Sequence, residues 1–133
     1  MISVYLADDH SIVREGIRAL VASAPDMEVV GEASDGDEAL RELPKCQPGV
    51  FLMDMSMPGC SGLDLIERVR RRAPETHILV LSMHREDLYA TRTIRAGARG
   101  FITKTRPPAE LLEALRKVAR GQMYITRELA DKL

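Results

Sequence analysis

Short apolar runs alternate with stretches of helical periodicity five times along this chain, and no other feature constrains its fold as strongly. The runs are Ile2–Ala7, Met27–Ala33, Val50–Met53, Ile78–Leu81 and Arg99–Thr103. Helical spacing fills 11–24, 35–43, 63–72, 87–96 and 107–120. Pro25, Pro44, Pro74 and Gly121 are expected to stop four of these helices, and Gly97 the remaining one. Strands that are each followed by a helix need right-handed crossovers, and these give a parallel sheet covered on both faces. The run Val50-Phe51-Leu52-Met53 suits a central strand buried on both sides. An α/β, doubly wound parallel sheet is therefore the predicted fold class.

In such sheets ligands bind beyond the carboxyl ends of the strands, so the residues that close the runs matter most. The first run delivers Asp8 and Asp9, the third Asp54, the fourth Ser82 and the fifth Lys104. Carboxylates converging on one point repel one another, which makes a cation their natural companion. An all-oxygen ligand set favours a hard ion, and a few carboxylates with water suit Mg2+. Asp54 is the natural nucleophile, because a carboxylate can attack phosphorus and become an aspartyl phosphate. The Lys104 ammonium would neutralise charge on the transferring group, and the Ser82 hydroxyl could donate to one of its oxygens.

Taken singly, these residues have plainer roles. Asp8 or Asp9 could cap the first helix, Asp54 could close an Asx turn, Ser82 could cap a helix, and Lys104 could be a solvated charge. Their joint placement at strand ends is what capping does not require. The chain has no Gly-x-x-x-x-Gly-Lys-Ser/Thr and no Gly-x-Gly-x-x-Gly after a strand, so phosphate-loop and dinucleotide chemistry are not expected.

Composition narrows the class further. The 133 residues carry 19 basic and 20 acidic side chains, a net charge of −1, which is not the footprint of a nucleic-acid-binding domain. No apolar run is long enough to span a membrane, and the first residues lack the pattern of a secretory signal. Cys46 and Cys60 make no disulfide framework, and a cytoplasmic location is expected. Arg68, Arg70, Arg71 and Arg72 read as a solvated helix end that complements the helix dipole. His10 adjoins the acidic site but is not expected to be a ligand in Mg2+ chemistry.

The stretches Leu6-Ala7-Asp8-Asp9-His10, Leu52-Met53-Asp54-Met55-Ser56-Met57-Pro58-Gly59, Val80-Leu81-Ser82 and Gly97-Ala98-Arg99-Gly100-Phe101-Ile102-Thr103-Lys104 together resemble a two-component response-regulator receiver domain. Asp-Asp-His, Ser-Met-His and the glycine-rich run before Lys104 resemble the NarL/FixJ subgroup. The resemblance covers residues 1–121 and implies a flavodoxin-like (βα)5 sheet of strand order 2-1-3-4-5. It implies that Asp54 is the phosphoacceptor. Asp9, Asp54 and the Ser56 backbone carbonyl would ligate Mg2+, with Asp8 acting mainly through water. Ser82 would be the switch hydroxyl, Lys104 the conserved-type lysine, and Phe101 the aromatic that changes rotamer on activation.

The implied partners are a sensor histidine kinase, a second copy of the chain as a homodimer, and no membrane. DNA is expected only through a C-terminal, LuxR-type DNA-binding domain beyond residue 133, with residues 122–133 starting the linker toward it. The domain would control transcription by altering the surface around its fourth helix and fifth strand. It would catalyse only its own phosphorylation and dephosphorylation, and so is no enzyme in the usual sense.

Two departures stand out: Thr105 is found where many receivers have proline, and positions 56 and 84, which flank the site, carry Ser56 and His84. The alternatives are a haloacid-dehalogenase-like aspartyl-phosphate phosphatase and a receiver-like docking module that is never phosphorylated. The first would want Asp-x-Asp after its first strand, whereas here the acidic pair is adjacent.

Overall fold

The five apolar runs form the strands β1 (Ile2–Ala7), β2 (Met27–Ala33), β3 (Val50–Asp54), β4 (His77–Ser82) and β5 (Gly100–Thr103). The computed structural model describes residues 1–83 and 86–133, and for residues 86–88 the backbone alone. His84, expected beside the site, lies outside the described residues. Between and after the strands come α1 (Ser11–Ala22), α2 (Gly36–Cys46), α3 (Gly62–Arg72), α4 (Glu86–Ala96), α5 (Pro108–Ala119) and α6 (Arg127–Lys132). All strand pairs are parallel, in the order β2-β1-β3-β4-β5.

Strand alternation divides the core into two layers. Tyr5, Phe51, Met53, Val80 and Phe101 face Leu40, Leu43, Leu65, Ile66 and Val69 of α2 and α3. Val4, Leu6, Val50, Leu52, Leu79, Leu81 and Ile102 face Ile17, Val21, Leu111, Leu115 and Val118 of α1 and α5. Near-continuous apolar strands are thus required, because both parities meet a helix layer. Asp54 and Ser82 lie where β3 and β4 run out, at the shared carboxyl edge of the sheet.

Pro44 does not stop α2, contrary to expectation. It sits exposed in the last turn, where its missing N–H forgoes a single bond to the Leu40 carbonyl. The helix ends instead at Gln47, whose left-handed backbone (φ 47°) lets its N–H reach the Leu43 carbonyl at 2.8 Å. Beyond Gly121 the chain stays on the domain. Tyr124 bridges β5 at Gly100, its N–H donating to the Arg99 carbonyl (3.0 Å) and its carbonyl accepting from Phe101 (3.1 Å). The α6 helix then buries Leu129 in the same layer as Phe101. Thr126 caps α6 by accepting from the Leu129 N–H.

Candidate metal and phosphoacceptor site

Parallel pairing sets β1, β3, β4 and β5 side by side, so residues far apart in the chain end at one level. Asp8, at 1% exposure, and Asp54, at 4%, are both buried. The Lys104 ammonium lies between them, 3.2 Å from Asp8 Oδ2 and 3.3 Å from Asp54 Oδ1. The backbone N–H of Lys104 donates to the Ser82 carbonyl at 2.8 Å, which ties the β5 end to the β4 end. Asp9 is more open, and the His10 Nδ1 stands 3.1 Å from Asp8 Oδ1 and 3.2 Å from Asp9 Oδ1. The ligand-type atoms of Asp8, Asp9, His10 and Asp54 all fall within 4.8 Å of one another.

Burial, then the charge of Asp8, pushes the Asp54 carboxyl above the usual carboxylate range. Lys104 and the Ser56 backbone N–H act in the opposite direction without cancelling it. Three carboxylates against one ammonium leave two negative charges, which is the charge of one divalent cation. The donor set is oxygen-rich and sits at the mouth of a buried site, so the residues fit Mg2+.

The upward shift of the Asp54 carboxyl has a consequence for stability. Where both states are protonated, Asp54 contributes nothing. As pH rises through the ordinary carboxylate range, the unfolded chain releases its proton first, so the native state loses stability. Asp54→Asn should therefore raise the melting temperature of the metal-free protein at neutral pH. The gap should close as pH falls below the ordinary carboxylate range. Calorimetry in the presence of a chelator checks this, and a variant that melts below the parent at neutral pH would contradict it.

Ser82 is buried at 1% exposure, and β4 register places it opposite Thr103 and Val80 opposite Phe101. Phe101 is 1% exposed and packs in the layer that holds Ala90, Ala98 and Leu129. Among the described residues no peptide bond is cis, the Lys104–Thr105 bond included.

Sequence reasoning missed Arg14. Its guanidinium donates to the Asp8 carbonyl and pairs with Glu32 at 3.4 Å, while Arg18 reaches the same Glu32 at 2.6 Å. The β1–α1 turn is therefore clamped to β2 directly behind the acidic pair. An arginine on the first turns of α1 reads as solvent-facing by periodicity alone, so only the β1–β2 pairing reveals its role.

This combination, a 2-1-3-4-5 parallel sheet with an acidic pair, an aspartate and a lysine at neighbouring strand ends, is that of an α/β signalling receiver domain. The family described as response regulator receiver domain matches residues 4–116, and the chain belongs to that family. The response regulator GacA of Pseudomonas syringae pv. syringae is 38% identical over all 133 residues. The chain spans 62% of that relative's length. A LuxR-family two-component response regulator from Aurantimonas sp. superposes with a TM-score of 0.89 at 35% identity, over 97% of this chain and 92% of that one. The isolated receiver domain of RcsB from Salmonella enterica serovar Typhimurium, solved with the phosphomimetic BeF3−, gives 0.88 at 30% identity, over 99% and 98%. The NarL/FixJ-like resemblance agrees with these relatives. Family membership sets aside the haloacid-dehalogenase-like alternative. Among the described residues no helix is long and apolar enough to cross a membrane.

Proposed function

We propose that this chain is a cytoplasmic phosphorylation switch in which Asp54 accepts a phosphoryl group from a sensor histidine kinase. The observation that carries the reading is the Lys104 ammonium held between the buried Asp8 and Asp54 carboxylates, in a site still short of two positive charges. Asp9, Asp54 and the Ser56 carbonyl would hold Mg2+, with Asp8 acting mainly through water. The ion would supply electrostatic stabilisation of the phosphoryl oxygens.

An Asp54 oxygen attacks phosphorus as the phosphorus–nitrogen bond of the donor histidine breaks, and the departing imidazole takes up a proton. Lys104 balances the charge that spreads over the phosphoryl oxygens in flight. The Ser82 hydroxyl donates to one of those oxygens once the group is in place. Space next to Ser82 then becomes available to Phe101, one layer deeper at the β4–β5 pair. Two discrete arrangements with unequal affinity for the phosphoryl group are the requirement for such a switch. The altered surface of α4 and β5 would act on transcription through a DNA-binding domain beyond residue 133, with residues 122–133 leading toward it. Homodimerisation through that surface would be one way to transmit the change.

Incubation with acetyl phosphate and Mg2+, followed by intact-mass measurement, tests the reading. One added phosphoryl group is expected, and none in the presence of a chelator. An unchanged mass in Mg2+ would favour the docking-module alternative. The switch itself is checked by solving the domain with a phosphate mimic bound. Ser82 and Phe101 are both expected to move, and identical positions in the two states would remove them from the switch.

A further inference from the structure

We infer that a cleft at the opposite end of the sheet from the acidic site, lined by Arg70, His77 and Arg99, binds a small phosphate monoester. The inference stands apart from the phosphoacceptor reading, because it uses no residue of that site.

His77 opens β4 and Ser82 closes it, which puts the cleft roughly 16 Å from the acidic edge. The cleft has a volume of about 360 Å³ and lies between the end of α3, the α4–β5 turn and the segment after Gly121. The described residues that line it include two arginines and one histidine but no carboxylate. Among the described residues, none of these three side chains makes an ion pair or a hydrogen bond.

Arginine at a helix end ordinarily offsets the helix dipole. Arg71 and Arg72 serve α3 in that way, and Arg95 serves α4, all three outside the cleft. Arg70 departs from the solvated helix end expected for the basic run of α3. Its side chain crosses to the α4–β5 turn, where a Cβ on Gly97 would collide with its Cδ and Nη1. Gly97 holds a φ of 123°, which favours glycine, so the turn leaves room for the guanidinium. The backbone beneath the other two is pinned by hydrogen bonds. The His77 N–H donates to the Gly49 carbonyl at 3.1 Å. The Arg99 N–H donates to the Ile78 carbonyl at 2.8 Å, and the Arg99 carbonyl accepts from Tyr124 at 3.0 Å.

A guanidinium presents paired N–H donors that match phosphate oxygens, and it stays charged throughout the physiological pH range. Two of them with an imidazole N–H suit an anion that offers three acceptor oxygens and a double charge. A carboxylate brings only two oxygens and one charge. Pro74, Ile94 and Met123 form an apolar wall of the same cleft, and Met123 is 40% exposed. That wall gives the organic side of an ester a surface to cover. The volume is at the small end for ligand sites, which suits a single-ring ester.

The test follows the backbone amide resonances of the whole chain in metal-free buffer as phenyl phosphate, inorganic phosphate or benzoate is added. Phenyl phosphate should shift the His77, Gly97 and Arg99 amides, saturating with a midpoint on the order of a millimolar, and leave those of Asp54 and Lys104 in place. Inorganic phosphate and benzoate should each bind several-fold more weakly. Arg70→Gln and Arg99→Gln should each weaken phenyl phosphate binding about tenfold. Arg71→Gln, one residue along α3 but outside the cleft, should bind like the parent. An equal loss in Arg71→Gln would reduce the effect to a diffuse positive surface and overturn the assignment. Shifts that never saturate would overturn it too, as would inorganic phosphate or benzoate binding as tightly as the ester.

Discussion

Asp54→Asn is expected to abolish phosphoryl uptake from acetyl phosphate in Mg2+, with the intact mass of the variant unchanged after an incubation that labels the parent. The carboxamide is a poor nucleophile, and it removes one of the negative charges that would draw the metal. The fold should survive, since Asn preserves shape at a position where burial and Asp8 already disfavour the ionised acid. A folded variant labelled as fully as the parent would transfer the acceptor role to another residue. Circular dichroism and the melting curve distinguish that outcome from an unfolded sample.

Gly36→Ala should be the most damaging single methyl group in the chain. Gly36 opens α2 directly beneath the β3–α3 loop, and a Cβ there would fall 1.6 Å from the Cys60 carbonyl oxygen. The obstacle is backbone, so no side-chain rotamer relieves it. The loop would have to lift, also weakening the Cys60 N–H contact to Asp37 (3.4 Å). Overpacking of this kind costs about 3 kcal/mol. Urea denaturation should show the midpoint lowered with little change in slope. A midpoint equal to the parent's would mean that the loop yields freely. Ser56 belongs to the same loop, so a displaced loop should also slow labelling of Asp54.

The inner strands were legible because helix layers on both faces leave β3 and most of β4 apolar, and their last residues announced the candidate site. Val50 to Met53 could hardly be anything else. Helix ends were less legible. Pro44 reads as a stop, but an exposed final turn tolerates it, and the left-handed Gln47 that ends α2 carries no strong signal. The approach of Lys104 to both Asp8 and Asp54 follows from four parallel strands ending together, which the alternation implied. The approach of Arg14 to the Asp8 carbonyl does not follow from any periodicity, because it depends on how α1 leans on β2. His10 shows the same boundary. Its place beside the acids is written in the chain, but the direction of its ring is set by tertiary structure.

Tyr124 gives the domain a property unrelated to phosphoryl chemistry. Because β5 lies at the end of the sheet, its outer hydrogen-bonding groups would otherwise offer a template to any extended chain that drifted by. Tyr124 takes up the Phe101 N–H and the Arg99 carbonyl, and α6 anchors the segment through Leu129. The chain thus supplies its own selvedge. A version trimmed at Gly121 would keep every residue of the acidic site and still present a raw border, prone to stitching one molecule to the next.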